Sequence, residues 1–177
     1  TSGILNRFVR ESEQFVRYVP QNPSQYAPIG AALVFEDRDG RIWVGTQSNG
    51  LFLYITKTDQ FAHFQIVDGP DFSEFAVTGM VQDDQGYLWV SSSDKGLLRI
   101  DVNGGQADTF NEKNSGLTGK GVSNPGGHRS NLVIDSRGQL WVGTLRGLHR
   151  FDPKENDFIL YQRAPSLPEE YTLEVVN

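Results

Sequence analysis

The sequence predicts an all-β fold of four-stranded antiparallel meanders stacked face to face, and three observations carry that prediction. A unit recurs with fixed punctuation, each copy reading Asp, two residues, Gly, two residues, Trp, Val, and its tryptophans, Trp43, Trp89 and Trp141, stand 46 and 52 residues apart. Inside the unit lie four short segments rich in β-branched and aromatic side chains and bounded by Gly, Asp, Asn or Pro. That is how strands separated by turns read. No segment carries the apolar stripe of a helix. A period near this length with four strands per repeat is that of β-propeller blades, and it exceeds most helical repeats.

The elements follow in order. Leu5-Asn6-Arg7-Phe8 and Phe15-Val16-Arg17-Tyr18 match the second half of the unit, so residues 1–30 are expected to be the end of one blade. Blades are then expected over 31–70, 77–116 and 129–165, with 171–177 as the first strand of the next. Their first two strands flank the turns at Asp37, Asp83 and Asp135, where Gly40, Gly86 and Gly138 supply the positive φ of a tight hairpin. The three aspartates share one register and are expected to accept hydrogen bonds from turn N–H groups. Third strands start at Gly50, Gly96 and Gly147, and Leu5, Leu51, Leu97 and Leu148 step by 46, 46 and 51 residues. The whole chain, 1–177, then reads as a partial propeller of about 3.75 blades.

Strand alternation shows why such units must stack. In Ile42-Trp43-Val44 the tryptophan points one way and its neighbours the other, so both faces are apolar, as in Leu88-Trp89-Val90 and Leu140-Trp141-Val142. A sheet greasy on both sides must be sandwiched between neighbours. The tryptophans are therefore expected to hold blade to blade rather than to stack a ligand. An open array leaves blade faces and strand edges bare, which favours a piece of a larger propeller. A small closed ring, or a ring completed by a second copy, is the alternative.

Composition removes several function classes. The formal net charge is -6, with both signs mixed along 177 residues, so nucleic acid is a poor partner. The absence of cysteine excludes disulfides, thiolate metal sites and a cysteine nucleophile. No stretch approaches the roughly 18 apolar residues of a membrane span. Asp37-Arg38-Asp39-Gly40 opens like an acidic calcium loop, but the later ligands are missing and Gln85 and Arg137 replace Asp39 in the other copies. His63, His128 and His149 occupy unlike repeat positions, and no zinc-protease, phosphate-loop or nucleophile-elbow motif is present. No catalytic residue, metal or cofactor is expected. Arg7, Arg99 and Arg150 recur in the third strand, interrupted by Leu53, and are expected to face solvent or to bridge blades rather than to bind an anion.

Loops are the better functional suspects. The connection Asn111 to His128 is the longest and is rich in Gly, Asn and Ser, so it reads either as a polar ligand lip or as a surface excursion. With the turns after the second strands it frames an expected ligand rim of Asn49, Asp94, Lys95, Arg146, Asn124 and His128.

The repeated D-x-x-G-x-[IL]-W-V-G-T followed by G-L-x-[RY]-[FI] resembles the two-component regulator propeller repeat, over nearly the whole chain. The copies Asp37 to Tyr54 and Asp135 to Phe151 match best. The middle copy departs with Ser91-Ser92 where Gly-Thr is usual, and Val9-Arg10 stands where Asp152-Pro153 keeps the pattern's Asp-Pro. The resemblance implies a segment of a larger, seven-bladed propeller in the periplasmic or extracellular sensor half of a histidine kinase, often a hybrid one that responds to glycans. It also implies neighbouring blades as partners, an oligosaccharide ligand, a homodimer, and no phosphoryl transfer by this segment. Two rival functions stand beside it. A protein-interaction propeller needs only the scaffold. A propeller lyase acting on cyclic peptide antibiotics would gather His and acidic groups at one rim.

Overall fold

The Asp-x-x-Gly step closes the first hairpin of each repeat in the computed structural model, which describes residues 4–18, 28, 30–66, 73–93, 95–118 and 131–161. Gly40, Gly86 and Gly138 take φ of 75°, 89° and 74°, and the N–H of each donates to the carbonyl of the aspartate three residues before it. With the turns set this way the flanking apolar runs pair antiparallel, in sequential order. The first blade is β3 (Ala31–Glu36), β4 (Ile42–Thr46), β5 (Leu51–Ile55) and β6 (Gln60–His63). The second is β7 (Val77–Gln82), β8 (Leu88–Ser92), β9 (Gly96–Asp101) and β10 (Gln106–Phe110). The third is β11 (Leu132–Ile134), β12 (Leu140–Thr144), β13 (Gly147–Asp152) and β14 (Asp157–Tyr161).

A separate two-stranded sheet, β1 (Asn6–Val9) with β2 (Gln14–Arg17), precedes them. Its turn matches the one between the third and fourth strands of the blades. The residue before the fourth strand is left-handed in all four copies: Glu13, Asp59, Gly105 and Asn156 at φ of 52°, 53°, 68° and 52°. The expected segment 171–177 lies outside the described residues.

Register explains the stacking. In the second blade Val81, Trp89, Arg99 and Asp108 pair across the four strands, and the row in the third blade is Val133, Trp141, Arg150 and Ile159. Paired residues share a face, so each blade has a tryptophan face. The opposite, back face of the third blade carries the Phe151–Phe158 pair together with Leu132, Leu140 and Val142. Trp43 packs into Val77, Met80, Leu88 and Val90 of the second blade. Trp89 packs likewise into Leu132, Leu140, Val142 and Phe158 of the third. Both indoles are 1% exposed. First strands lie side by side, β3 against β7 and β7 against β11, so they form the inner edge from which the blades radiate. This is an all-β array of propeller blades with no closed barrel, as the sequence predicts.

Candidate functional site

The motif residues form one structural device, repeated three times. In the first copy Asp37 Oδ1 accepts the backbone N–H of Asp39 and Arg41 at 3.0 and 2.9 Å, while Oδ2 accepts Trp43 Nε1–H at 2.9 Å. Asp83 does the same for Gln85, Tyr87 and Trp89, the indole bond being 2.7 Å. Asp135 does it for Arg137, Gln139 and Trp141, the indole bond being 2.9 Å. One carboxylate thus caps the turn and satisfies an indole that would otherwise be buried with an orphan donor. Burial pushes the Asp37 carboxyl up, but the Trp43 and Arg41 donors and the Arg41 charge together hold it below the ordinary aspartate value. The Trp141 indole and the Gln139 amide hold Asp135 low as well.

The expected rim falls on the turns after the second strands. Thr46, Ser92 and Thr144 hydroxyls accept the backbone N–H groups of Asn49, Lys95 and Arg146 at 2.8, 3.3 and 3.1 Å. These three sit at matching ends of successive blades, with their backbones tied to the turn. Asp94, Asn124 and His128 lie outside the described residues. The start of the long connection, the only part of it among the described residues, is tied to the third blade. Gly116 N–H donates to Asp157 Oδ1 at 2.6 Å, Leu117 is buried beside Trp89, and Thr118 donates its N–H to His149 Nε2 at 3.2 Å. His149 itself is fully buried, and burial holds its imidazole below the ordinary histidine value. Among the described residues no group of His, Asp and Glu could hold a metal ion.

A cavity lies at the other end of the blades, between the second and third, where a bridge seen at the preceding junction is missing among the described residues. At the preceding junction the first-hairpin turn reaches across: Arg38 Nη2 donates to Asp84 Oδ1 at 2.6 Å and Arg41 Nη1 to Asn103 Oδ1 at 3.0 Å. One repeat later Tyr87 and Lys154 stand where Arg41 and Asn103 stood, and among the described residues they make no bond across the junction. A cleft of about 580 Å³ opens there, lined by Tyr87, Arg99, Arg137, Gln139, Phe151 and Lys154 among others. That volume is in the range of small-molecule sites.

The acids around this cleft are already occupied. Asp83 holds its turn and the Trp89 indole, Asp84 pairs with Arg38, and Asp152 caps the Lys154 N–H at 3.0 Å. Arg99 pairs with Asp108, its guanidinium carbon 5.1 Å from the Tyr87 ring centre and 5.7 Å from that of Phe151. Arg137 and Lys154 make no ion pair among the described residues. The cleft therefore offers aromatic surface, two side-chain amides, and the cations Arg137 and Lys154. Its lining holds no histidine, serine or cysteine. Sequence reasoning missed this cleft because its signal is a difference between copies, Arg41 against Tyr87, rather than a motif.

The two component regulator propeller family matches residues 31–48, the stretch that holds the first Asp–Trp device. Comparison with curated proteins returns no match. Among solved structures, the extracellular domain of BT4673 from B. thetaiotaomicron, described as a one component system, is similar at 20% identity and a TM-score of 0.66. The match covers 85% of this chain and 21% of that one. The extracellular domain of the hybrid two component system BT3049 from the same organism is similar at 22% identity and a TM-score of 0.63, over 85% and 21% of the two chains. Virginiamycin B lyase from Staphylococcus aureus, in a catalytically inactive form with quinupristin, is similar at 15% identity and a TM-score of 0.60, over 89% and 48%. The chain thus spans about a fifth of the length of the extracellular domains it matches. These likenesses establish a β-propeller domain related in fold to sensor propellers and to a lyase propeller.

Proposed function

We propose that this chain is a propeller segment of an extracytoplasmic sensor in a two-component signalling protein, that it recognises a ligand without catalysing a reaction, and that the cleft between the second and third blades is where the ligand binds. The observation that carries the reading is the Asp–Trp blade at residues 31–48, where the two component regulator propeller family matches. Two similar structures are extracellular domains of signalling proteins, which supports a periplasmic or extracellular location. Among the described residues no helix is long and apolar enough to cross a membrane. The cleft suits a polar ligand with hydroxyls for Gln139, a flat face for Tyr87 and a negative group for Arg137 and Lys154, which an oligosaccharide bearing an acid satisfies. The output module of this reading is a histidine kinase.

Calorimetry of the protein against a panel of neutral and acidic oligosaccharides tests the proposal. Tyr87→Ala and Lys154→Ala are expected to weaken binding roughly tenfold or more each, since stacked and charge-assisted contacts each contribute about 1–3 kcal/mol, with the melting temperature of the exposed Lys154→Ala nearly unchanged. No binding across the panel, with tight association to a protein partner instead, would support the interaction-scaffold reading. Cleavage of a cyclic peptide antibiotic would support the lyase.

A further inference from the structure

Two Asn-Gly steps occur in the chain, Asn49-Gly50 and Asn103-Gly104, and the fold treats them oppositely. At such a step the backbone nitrogen of the glycine can approach the amide carbon of the asparagine side chain, because glycine puts no Cβ in the way. Whether it reacts there depends on what holds the nitrogen, what polarises the carbonyl and whether water reaches the product.

The first step is locked. Gly50 is buried, and its N–H donates to the Phe75 carbonyl at 3.0 Å. The Asn49 side chain accepts the Ser48 hydroxyl at 2.9 Å, and the Asn49 N–H is held by Thr46. The nitrogen is thus turned to a neutral carbonyl, away from water.

The second step lies in the turn between β9 and β10, where Asn103 and Gly104 are both exposed. Here the Gly104 N–H donates to a carboxylate, Asp101 Oδ1, at 2.8 Å, and the Asn103 N–H shares that oxygen at 3.0 Å. A Cβ on Gly104 would collide with the Asp101 carboxylate, so the acid sits this close only against glycine. From the first blade, Arg41 Nη1 donates to Asn103 Oδ1 at 3.0 Å. The nucleophile's proton therefore already faces an acceptor, and the electrophile's oxygen already faces a cation. Among the described residues no hydrogen bond holds Asn103 Nδ2, the group that would leave.

We propose that Asn103 is a self-modification site, at which the turn converts this side-chain amide to an acid. The Gly104 nitrogen attacks Asn103 Cγ, passing its proton to Asp101 while Arg41 stabilises the charge that develops on Oδ1. The new N–Cγ bond closes a cyclic imide, the Cγ–Nδ2 bond breaks, and Nδ2 leaves as ammonia with the proton that Asp101 returns. One water then opens the imide. Addition at the side-chain carbonyl gives aspartate, and addition at the backbone carbonyl gives isoaspartate, with the chain running through Cγ. The sum is amide and water to acid and ammonia, so no oxidant or cofactor enters. The aspartate product sets a carboxylate before the Arg41 guanidinium, and the bridge from the first blade to the second then carries charge on both partners.

Incubation of the whole chain at neutral pH, sampled over time by peptide mass spectrometry, tests this, with fragment masses assigning each change to its residue. Asn103 is expected to gain the amide-to-acid increment at least about tenfold faster than Asn49, with ammonia released in step. Asp101→Asn keeps an oxygen to hold the two turn amides but removes the base, and is expected to slow the conversion at least about tenfold. Asn103→Gln, whose longer side chain cannot close the same ring, is expected to abolish it at this position. Far-ultraviolet circular dichroism checks that each variant keeps the fold. No conversion at Asn103, a rate equal to that at Asn49, or a rate that Asp101→Asn leaves unchanged or raises overturns the proposal.

Discussion

At the scale of the residue, the repeated aspartate and tryptophan act as one unit. Each carboxylate spends one oxygen on two turn amides and the other on the indole six residues on. The structure therefore ties a turn residue, legible from Asp and Gly spacing, to a core residue, legible from apolar alternation, through a bond that neither pattern contains. Trp89→Ala is expected to cost about 3–5 kcal/mol in denaturant unfolding, as truncation of a fully packed ring does. Trp141→Ala is expected to cost clearly less in the single chain, because its indole is only partly buried and no described blade packs on it. Equal losses would contradict this account of the tryptophan face.

The Asp37 carboxyl also sets an acid limit. Its folded pKa is lowered from 3.8, so the unfolded state binds the proton more readily, and the stabilisation it provides is complete above that value. The stabilisation is lost as pH falls through the lowered pKa. Thermal melts between pH 5 and about pH 2 should show this loss, and Asp37→Asn should reduce the slope.

At the scale of the element, near-identical strands meet different neighbours and so tolerate different changes. A Cβ on Gly45 would lie 2.4 Å from Val77 Cγ1, whereas one on Gly143 would lie 3.8 Å from Asn131. Gly45→Ala is expected to cost about 1–3 kcal/mol by overpacking, and Gly143→Ala close to nothing, as urea unfolding can measure. The middle copy carries Ser91 at this position, and its hydroxyl lies 2.9 Å from that of Thr78 and 3.0 Å from Asn131 Oδ1. The departure Ser91 for Gly is thus a polar tie between the second and third blades.

His149 shows the same dependence on context. Its register is that of Phe52 and Leu98, yet it holds Thr118 at the start of the long connection. Burial lowers its folded pKa below 6.5, so stability is full above that value and falls as the pH drops below it. His149→Leu should flatten the pH dependence of the melting temperature between pH 7 and 5, which a series of buffered melts would reveal.

At the scale of the whole molecule, function rests on what differs between junctions. The first-to-second junction is bridged by Arg38 and Arg41, and the next one opens into a cleft. The sequence rim at Asn49, Lys95 and Arg146 and the cleft at Tyr87 and Lys154 occupy opposite ends of the blades. Calorimetry of Tyr87→Ala beside Arg146→Ala would therefore say which end binds: the sensor proposal expects loss of affinity for the first and none for the second.

The sequence alone determined the repeat, the order of strands, the hairpin glycines and the two-sided burial. Each of these depends on local φ preference and on a two-residue alternation that a linear string displays directly. Only the tertiary structure decided which carboxylate meets which indole and where the cleft opens. Those outcomes depend on side-chain geometry within each hairpin and, for the cleft, on distances between residues some forty or more positions apart in the chain. Such distances are set by how one blade twists and packs against the next, and the spacing of letters does not carry them.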